Sequence, residues 1–394
     1  MHISITALLT LLPLATWATP SPGTLNQPPA PLIQARSPGT AIPGKYIVKL
    51  KDGSTDAALN KAIGGRKAGH IYRGPGFKGF AGALDSVSLE AIRRLPEVDF
   101  VEEDATFNAL AIVNQTGAPW NLARLSSRTR GSTVYRYDSS AGSGTCVYIL
   151  DTGINTSHPQ FGGRAIWGVN YADTVNTDGN GHGTAMAGVI GATVLGVAKL
   201  TKLIAVKVLS ASGSGSTSGI IQGMNWVKTD SVVPGRCPNG TVANMSLGGG
   251  FSTALNTAAA ALVSSGVFLA VAAGGDNANV AGYSPASAPS ACTVGASTIS
   301  DSVASSSNYG PLLDIYAPGQ NILTTWPGGG TNTLSGTSLA SAHVAGLGAY
   351  LLRVNSSLTE QGLCDYMKVI STKNVLTGVP TGTNNFLAYN GWDL

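Results

Sequence analysis

Charge is scarce in this chain. Only 11 % of its 394 residues are Asp, Glu, Lys or Arg, against about 25 % in an average soluble domain. The net charge of +4 is spread so thinly that no basic run exceeds the pair Arg93-Arg94, which excludes the footprint of a nucleic-acid binder or a polybasic membrane patch. Beyond the first few residues no apolar stretch approaches the roughly 20 residues that span a bilayer, so no membrane partner is expected. The chain also lacks an internal repeat of about 20–50 residues, which excludes solenoids and propellers. Cysteine is limited to four residues, Cys146, Cys237, Cys292 and Cys364, placed too far apart for the Cys-x-x-Cys spacing of a zinc knuckle.

What is present begins with a compartment signal. His2 precedes the apolar stretch from Ile3 to Trp17, interrupted by Pro13 and followed by small residues around Ala18 and then Pro20, Ser21 and Pro22. This is the pattern of a secretory signal peptide over residues 1–18, so the product is expected to be secreted and extracellular. An even number of cysteines in an exported chain reads as two disulfides. Residues 19–42, rich in Pro, Gly, Ser and Thr without apolar periodicity, read as a flexible leader.

Residues 43–112 have another texture. Tyr46-Ile47-Val48-Lys49-Leu50 alternates like a strand, Leu84 to Leu95 carries apolar residues at helical spacing, and Val98 to Glu102 reads as a closing strand, together a small α+β domain. From 113 to 394 the composition turns to Gly, Ala and Ser around short, nearly continuous apolar runs at Cys146–Leu150, Leu203–Val208, Val242–Met245 and Val267–Val271. Each is followed by a loop and an Ala-rich helical stretch, as strands buried on both faces of a parallel sheet should be. The fold class is therefore α/β, a three-layer domain with a mostly parallel sheet behind a small α+β domain.

Three elements could carry chemistry. The first buried run ends in Asp151-Thr152-Gly153, a carboxylate at the C-terminal edge of a parallel strand, where open α/β sheets hold their ligands. Thirty-one residues on, Gly179-Asn180-Gly181-His182-Gly183-Thr184 presents an imidazole at a loop-to-helix junction. Finally, Gly336-Thr337-Ser338 opens a small-residue helix, where a serine hydroxyl at the N-terminus sits in the positive end of the helix dipole. Any one of them is as well explained by packing. His158, seven residues after Asp151, and His343, on the helix of Ser338 but largely on another face, are competing bases that geometry disfavours. No Gly-x-Ser-x-Gly elbow surrounds Ser338, so a lipase or esterase is not supported.

The order Asp, His, Ser on an α/β background resembles the subtilisin-like serine peptidase family (S8), and most closely its fungal proteinase K-like branch. Asp151-Thr152-Gly153, His182-Gly183-Thr184, Asn244 to Gly250, Tyr283-Ser284-Pro285-Ala286 and Gly336-Thr337-Ser338 carry the resemblance, which covers nearly everything after about Val113. The domain at 43–112 is similar to the family's inhibitory I9-type propeptide.

That resemblance implies a secreted serine endopeptidase working through an acyl-enzyme. Ser338 would be the nucleophile, His182 the general base and then acid, and Asp151 the group that orients and stabilises the imidazolium. Peptide substrates would bind by strand addition along Gly213, Ser214, Gly215 and along Ser246, Leu247, Gly248, with Ala272, Ala273 and Gly274 walling a specificity pocket open to large apolar side chains. It further implies disulfides Cys146–Cys237 and Cys292–Cys364, and a structural calcium on Asp314 and the backbone oxygens of Pro289 and Ala291. No cofactor is implied for catalysis. The expected partners are protein or peptide substrates and the chain's own propeptide as inhibitor, with the mature product a monomer released by cleavage near Ala109–Val113.

The chain departs from the family at telling places. The family follows its Ala-Ala-Gly wall with an Asn whose amide donates to the oxyanion, but here Gly275 holds that position, followed by Asp276 and Asn277. The oxyanion hole would then rest on the Ser338 backbone N–H, with Asn277 or a water as substitute donor, and the peptidase would be attenuated. The alternative is a catalytically weak or inactive secreted binding or effector protein on the same fold. Ala185 replaces a second His after His182, and Ala342 replaces a Pro before His343; both positions support active-site helices. Of the sequons at Asn114, Asn155, Asn239, Asn244 and Asn355, those at Asn114, Asn239 and Asn355 are the expected glycan carriers, because Asn244 lies in a buried strand and Asn155 beside the active site.

Overall fold

The computed structural model describes residues 28–34, 41–106 and 111–394. The expected signal peptide, most of the leader and part of the expected processing stretch at 109–110 lie outside the described residues. The chain divides into two compact units, one ending at Thr106 and the other running from Phe107 to Leu394.

In the first unit, five strands pair in the order Leu32–Ile33, Val98–Ala105, Ala41–Leu50, Phe77–Ala83, Ala68–Gly74. Helices Asp56–Ile63 and Ser86–Arg93 start at side-chain caps: Thr55 accepts from the Ala58 N–H, and Asp85 from the Ser88 N–H. Their apolar residues Leu59, Leu89 and Ile92 bury with Val48, Leu50, Phe80 and Val101 in one core. The helix at 56–63 and the hairpin between Gly74 and Phe77 are finer than the sequence pattern shows.

The second unit is built on a nine-stranded sheet. Its order is Thr372–Lys373, Phe386–Leu387, Ile315–Pro318, Cys292–Ser297, Phe268–Ala272, Thr241–Met245, Cys146–Asp151, Lys202–Lys207, Ala165–Asn170. Every pairing is parallel except that between the two shortest strands, 372–373 with 386–387. Side chains alternate across it. Val147 and Ile149 join a core with the helices His182–Gly191 and Thr337–Val354. Tyr148 and Leu150 face a second core with the helices Thr217–Ser231 and Thr253–Ser264. Strands buried on both faces explain the continuously apolar runs.

Two features of this sheet place the site. The chain adds strands on one side of Cys146–Asp151 and then on the other, so the strand order reverses there, and a crevice opens at the C-terminal ends of the strands. Second, register levels the ends: Lys207 pairs with Asp151, and Asn244, two residues before Ser246, pairs with Ile149, two residues before Asp151.

Disulfides join Cys146 to Cys237 and Cys292 to Cys364, across sequence separations of 91 and 72 residues. Closing loops this long removes about 4 kcal/mol of unfolded-state entropy each in the chain-entropy account. Replacing Cys146 and Cys237 together by Ala, in a Ser338→Ala background that cannot digest itself, should lower unfolding free energy by a few kcal/mol, of the order of that about 4 kcal/mol. Urea unfolding measures it, and a loss below about 1 kcal/mol would contradict the loop-closure account.

Candidate active site

The site is assembled from the strand ends outward. Asp151 closes its strand with no solvent exposure, a costly place for a carboxylate unless it is fully hydrogen-bonded. It is. Its Oδ1 accepts the Thr152 N–H at 2.7 Å, and both its oxygens meet His182 Nδ1, at 2.8 and 2.9 Å. The imidazole is thereby held with Nδ1 as donor and Nε2 turned away from the acid, the arrangement a general base needs. The Asp151 carboxylate raises the His182 pKa above its ordinary value by direct attraction, which outweighs the opposing effect of burial.

Close packing brings the two residues together. The His182–Gly191 helix runs so near the Asp151 turn that a Cβ on Gly183 would lie 2.1 Å from the Gly153 carbonyl oxygen and 3.2 Å from the Asp151 Cβ. Only glycine fits there, and this is why glycine follows the histidine.

Asp178 went unread as a functional position in the sequence. Its buried carboxylate takes the Gly181 N–H at 2.8 Å and the Thr184 N–H at 2.8 Å, and also the Thr152 hydroxyl at 2.8 Å. One side chain thus caps the histidine helix and ties it to the residue after Asp151. The sequence gives little sign of it: Asp178 lies outside the N-cap position, held by Gly181, that marks a helix start. Lys207 was missed as well. Fully buried, it donates to the Thr152 and Leu209 carbonyls at 2.9 and 2.8 Å and pairs with Asp173 at 3.2 Å, fixing the same turn from the neighbouring strand.

Ser338 is the second residue of its helix, after Gly336 at φ +149°, and N–H groups of a first helical turn have no intrahelical acceptor. Its Oγ donates to the Ser246 carbonyl at 3.2 Å, and Ser246 Oγ returns a bond to the Ser338 carbonyl at 2.8 Å. Ser341 and Asn244 complete this buried network. The network ties Ser338 to Ser246, which follows the strand next to that of Asp151.

Beside Ser338 opens a cavity of about 360 Å³, walled by Ser246 to Gly250 on one side and Ala272 to Asp276 on the other, with Tyr283 and Ser284 at its end. The expected substrate stretches 246–248 and 272–274 both line it. Gly213, Ser214 and Gly215 form an exposed loop and are not among its lining residues.

The 273–278 loop is held by one side chain. Asn308 donates to the Ala273 carbonyl at 2.9 Å and accepts the N–H groups of Asp276 and Ala278 at 2.9 and 3.0 Å. Gly275 lies within this clamp, exposed, and a Cβ there would meet nothing within 4 Å. The expected substitute donor needs correction. Asn277 does not line the cavity; its N–H is bonded to the Ser306 carbonyl at 3.0 Å, at a left-handed φ of +50°.

The competing histidines are accounted for. His343 is fully buried between the Leu339 carbonyl at 2.7 Å and Asn121 Nδ2 at 2.8 Å, and burial pushes its pKa down to about 4. His158 caps a short 3₁₀ turn, accepting the Gln160 N–H at 3.2 Å and donating to the Gly330 carbonyl at 2.9 Å. Both have their ring nitrogens occupied in packing.

The implied calcium set also needs correction. Both oxygens of Asp314 are engaged by protein groups, one by the Thr293 N–H and the other by Lys368. Among the sequons, Asn114 is exposed on a strand, whereas the Asn239 amide is tied to the Ser143 carbonyl at 2.9 Å and the Asn355 side-chain oxygen caps Ser357. Asn244 is buried.

Comparison with known proteins adds to this geometry. A model described as the subtilase family matches residues 142–386, and one described as peptidase inhibitor I9 matches residues 45–109. The chain is 54 % identical over 393 residues to a cuticle-degrading protease of Metarhizium anisopliae, covering 99 % of this chain and all of that protein. It is 53 % identical to the subtilisin-like serine protease AsES of Sarocladium strictum, covering 99 % of both. Among solved structures, a cold-adapted subtilisin-like serine proteinase superposes with a TM-score of 0.66 at 42 % identity, over 70 % of this chain and 99 % of that one.

Two predictions follow from the geometry. A base must be neutral to act, so if His182 is the base, activity should rise with pH through a midpoint above that of an ordinary imidazole, and Asp151→Asn should lower the midpoint and cut turnover by about 10⁴. The same attraction stabilises the fold in acid, and that contribution is lost as pH rises through the raised pKa of His182. A pH profile whose midpoint does not move in the variant would contradict this. Asp178→Ala should slow turnover by about 10²-fold through misplacement of the imidazole, with KM nearly unchanged; a purely structural role would lower stability and leave the kcat of the folded fraction intact.

Proposed function

Since this chain belongs to the subtilase family, as a fungal proteinase K-like serine endopeptidase made with an I9 propeptide, we propose that its reaction runs on Asp151, His182 and Ser338. The observation that carries the assignment is the two-oxygen contact of buried Asp151 with His182 Nδ1, at strand ends level with the serine anchored on Ser246. No comparison supports the non-catalytic alternative.

In this reading a peptide lies along 246–248 and seats a side chain in the cavity between Leu247 and Ala273. His182 Nε2 takes the Ser338 proton as Oγ attacks the carbonyl, and the imidazolium is stabilised by Asp151 and then protonates the leaving amine. Water hydrolyses the acyl-enzyme by the same steps in reverse roles. The Ser338 N–H at the helix start donates to the oxyanion. Gly275 supplies no side-chain amide, and loss of one such donor costs about 10²–10³ in turnover in subtilisin. The enzyme is therefore slow for its family. The small, uncharged walls suit a large apolar or aromatic residue.

The unit before residue 107 is the inhibitor of the peptidase unit and is removed by self-cleavage near Ala109–Val113. The mature enzyme is a secreted monomer, and its most exposed sequon, Asn114, is the one that carries a glycan. No helix among the described residues is long and apolar enough to cross a membrane.

Turnover of a peptide with Phe before the scissile bond tests the assignment. Ser338→Ala should lose about 10⁶ in kcat and accumulate as unprocessed precursor. Gly275→Asn, for which the backbone leaves open space, should raise kcat by about 10²-fold. Equal turnover by wild type and Ser338→Ala would defeat the mechanism, and an unchanged Gly275→Asn rate would defeat the attenuated oxyanion hole.

A further inference from the structure

Asp314 stands immediately before the Ile315–Pro318 strand, and its surroundings differ from those of a calcium ligand. Its own N–H donates to the Thr293 carbonyl at 3.0 Å, and its Oδ2 accepts the Thr293 N–H at 2.9 Å, so the carboxylate is locked onto the adjacent strand. Its Oδ1 faces the Lys368 ammonium at 3.2 Å. Lys368 lies on the Leu363–Ile370 helix and is held from a second side by Asp365, one turn earlier, at 2.7 Å.

The position of the lysine is enforced covalently. Cys292 opens the strand next to Asp314, and Cys364 lies one turn before Lys368. The sulfurs of both cysteines and a carboxylate oxygen of Asp314 lie within 4.8 Å of one another. Those sulfurs are spent on each other in a disulfide and are not thiolate ligands. The bridge therefore pins the Lys368 helix against the strand pair that carries Asp314, with the ammonium over its free oxygen.

A calcium ion needs six to eight oxygens at about 2.3–2.6 Å. At this site the carboxylate that would anchor it already has a protonated amine on one oxygen and an amide on the other. A dication on Asp314 would sit against a fixed positive charge in partly buried surroundings, where repulsion is weakly screened. Asp314 and Asp365 together supply two carboxylates, and Lys368 bridges both.

We propose that Lys368 is a built-in replacement for the calcium ion at Asp314, so that an ammonium carried by the chain does the structural work a metal would otherwise do there. The last sheet-bordering helix is then held without calcium in the medium. Removing the ammonium leaves Asp314 and Asp365 facing one another, and the position becomes one that takes a divalent cation.

The test is thermal unfolding of the full mature chain, in a Ser338→Ala background, with a calcium chelator or with millimolar calcium at matched ionic strength. The parent should melt at the same temperature in both. Lys368→Met, which keeps the aliphatic stem, should melt lower by about 3 °C in chelator and recover in calcium but not in magnesium. Lys368→Arg should behave as the parent. Terbium luminescence gives a second readout that does not depend on stability: the parent should show no Asp314-dependent binding, and Lys368→Met should gain it. Calcium stabilisation or terbium binding in the parent that disappears in Asp314→Asn would overturn the proposal. So would a Lys368→Met protein that melts like the parent in chelator. A parent calcium response that survives Asp314→Asn comes from elsewhere and leaves the ammonium at Asp314 as proposed. If Lys368→Met folds only when calcium is supplied during refolding, the proposal holds in its strongest form.

Discussion

The site depends on a carboxylate held without any exposure to water. Asp151 is the last residue of the strand at which the sheet changes direction, and its charge is tolerable there because neighbours converge on it: the Thr152 amide and the His182 imidazole. Around this core a second set of groups fixes the turn. Asp178 joins the histidine helix to Thr152, and buried Lys207 grips the Thr152 carbonyl from the adjacent strand. A buried ionised group left unpaired is strongly destabilising, so the arrangement that orients the imidazole also stabilises this end of the sheet. Orientation and stability share the same bonds.

The serine side is built differently. The groups that hydrogen-bond Ser338 are uncharged. Its turn is fixed by hydroxyls and amides, with Ser246, Ser341 and Asn244 exchanging short hydrogen bonds beneath it. Such a network leaves the Ser338 hydroxyl as a donor to the Ser246 carbonyl. Close backbone approach, as at Gly183 against Gly153, does for the histidine what hydrogen bonding does for the serine.

The parts of the fold legible in the sequence are those under strong local constraint. Fully buried strands such as Cys146–Asp151 and Thr241–Met245 must be apolar throughout, so their runs stand out, and the glycine-flanked histidine and helix-opening serine mark themselves by residue type. Strands like Cys292–Ser297 and Ala165–Asn170 mix Gly, Thr and Asn with apolar residues and owe their conformation to neighbours in the sheet. Lys207 and Asn308 escaped notice for a related reason: their main partners lie in other segments, and no spacing within one segment discloses them. The pairing of Asp314 with Lys368 spans 54 residues and is visible only once the disulfide between Cys292 and Cys364 brings its two segments together.

The clamp that Asn308 places on the 273–278 loop separates two properties that proteins usually trade against each other. Asn308 grips backbone groups on both sides of Gly275, at Ala273, Asp276 and Ala278, and no neighbouring atom approaches the side-chain position of Gly275. The identity of that residue is thus nearly invisible to folding. The residue there can change while the scaffold registers almost nothing, so selection on what that position does can proceed without first spending reserves of stability.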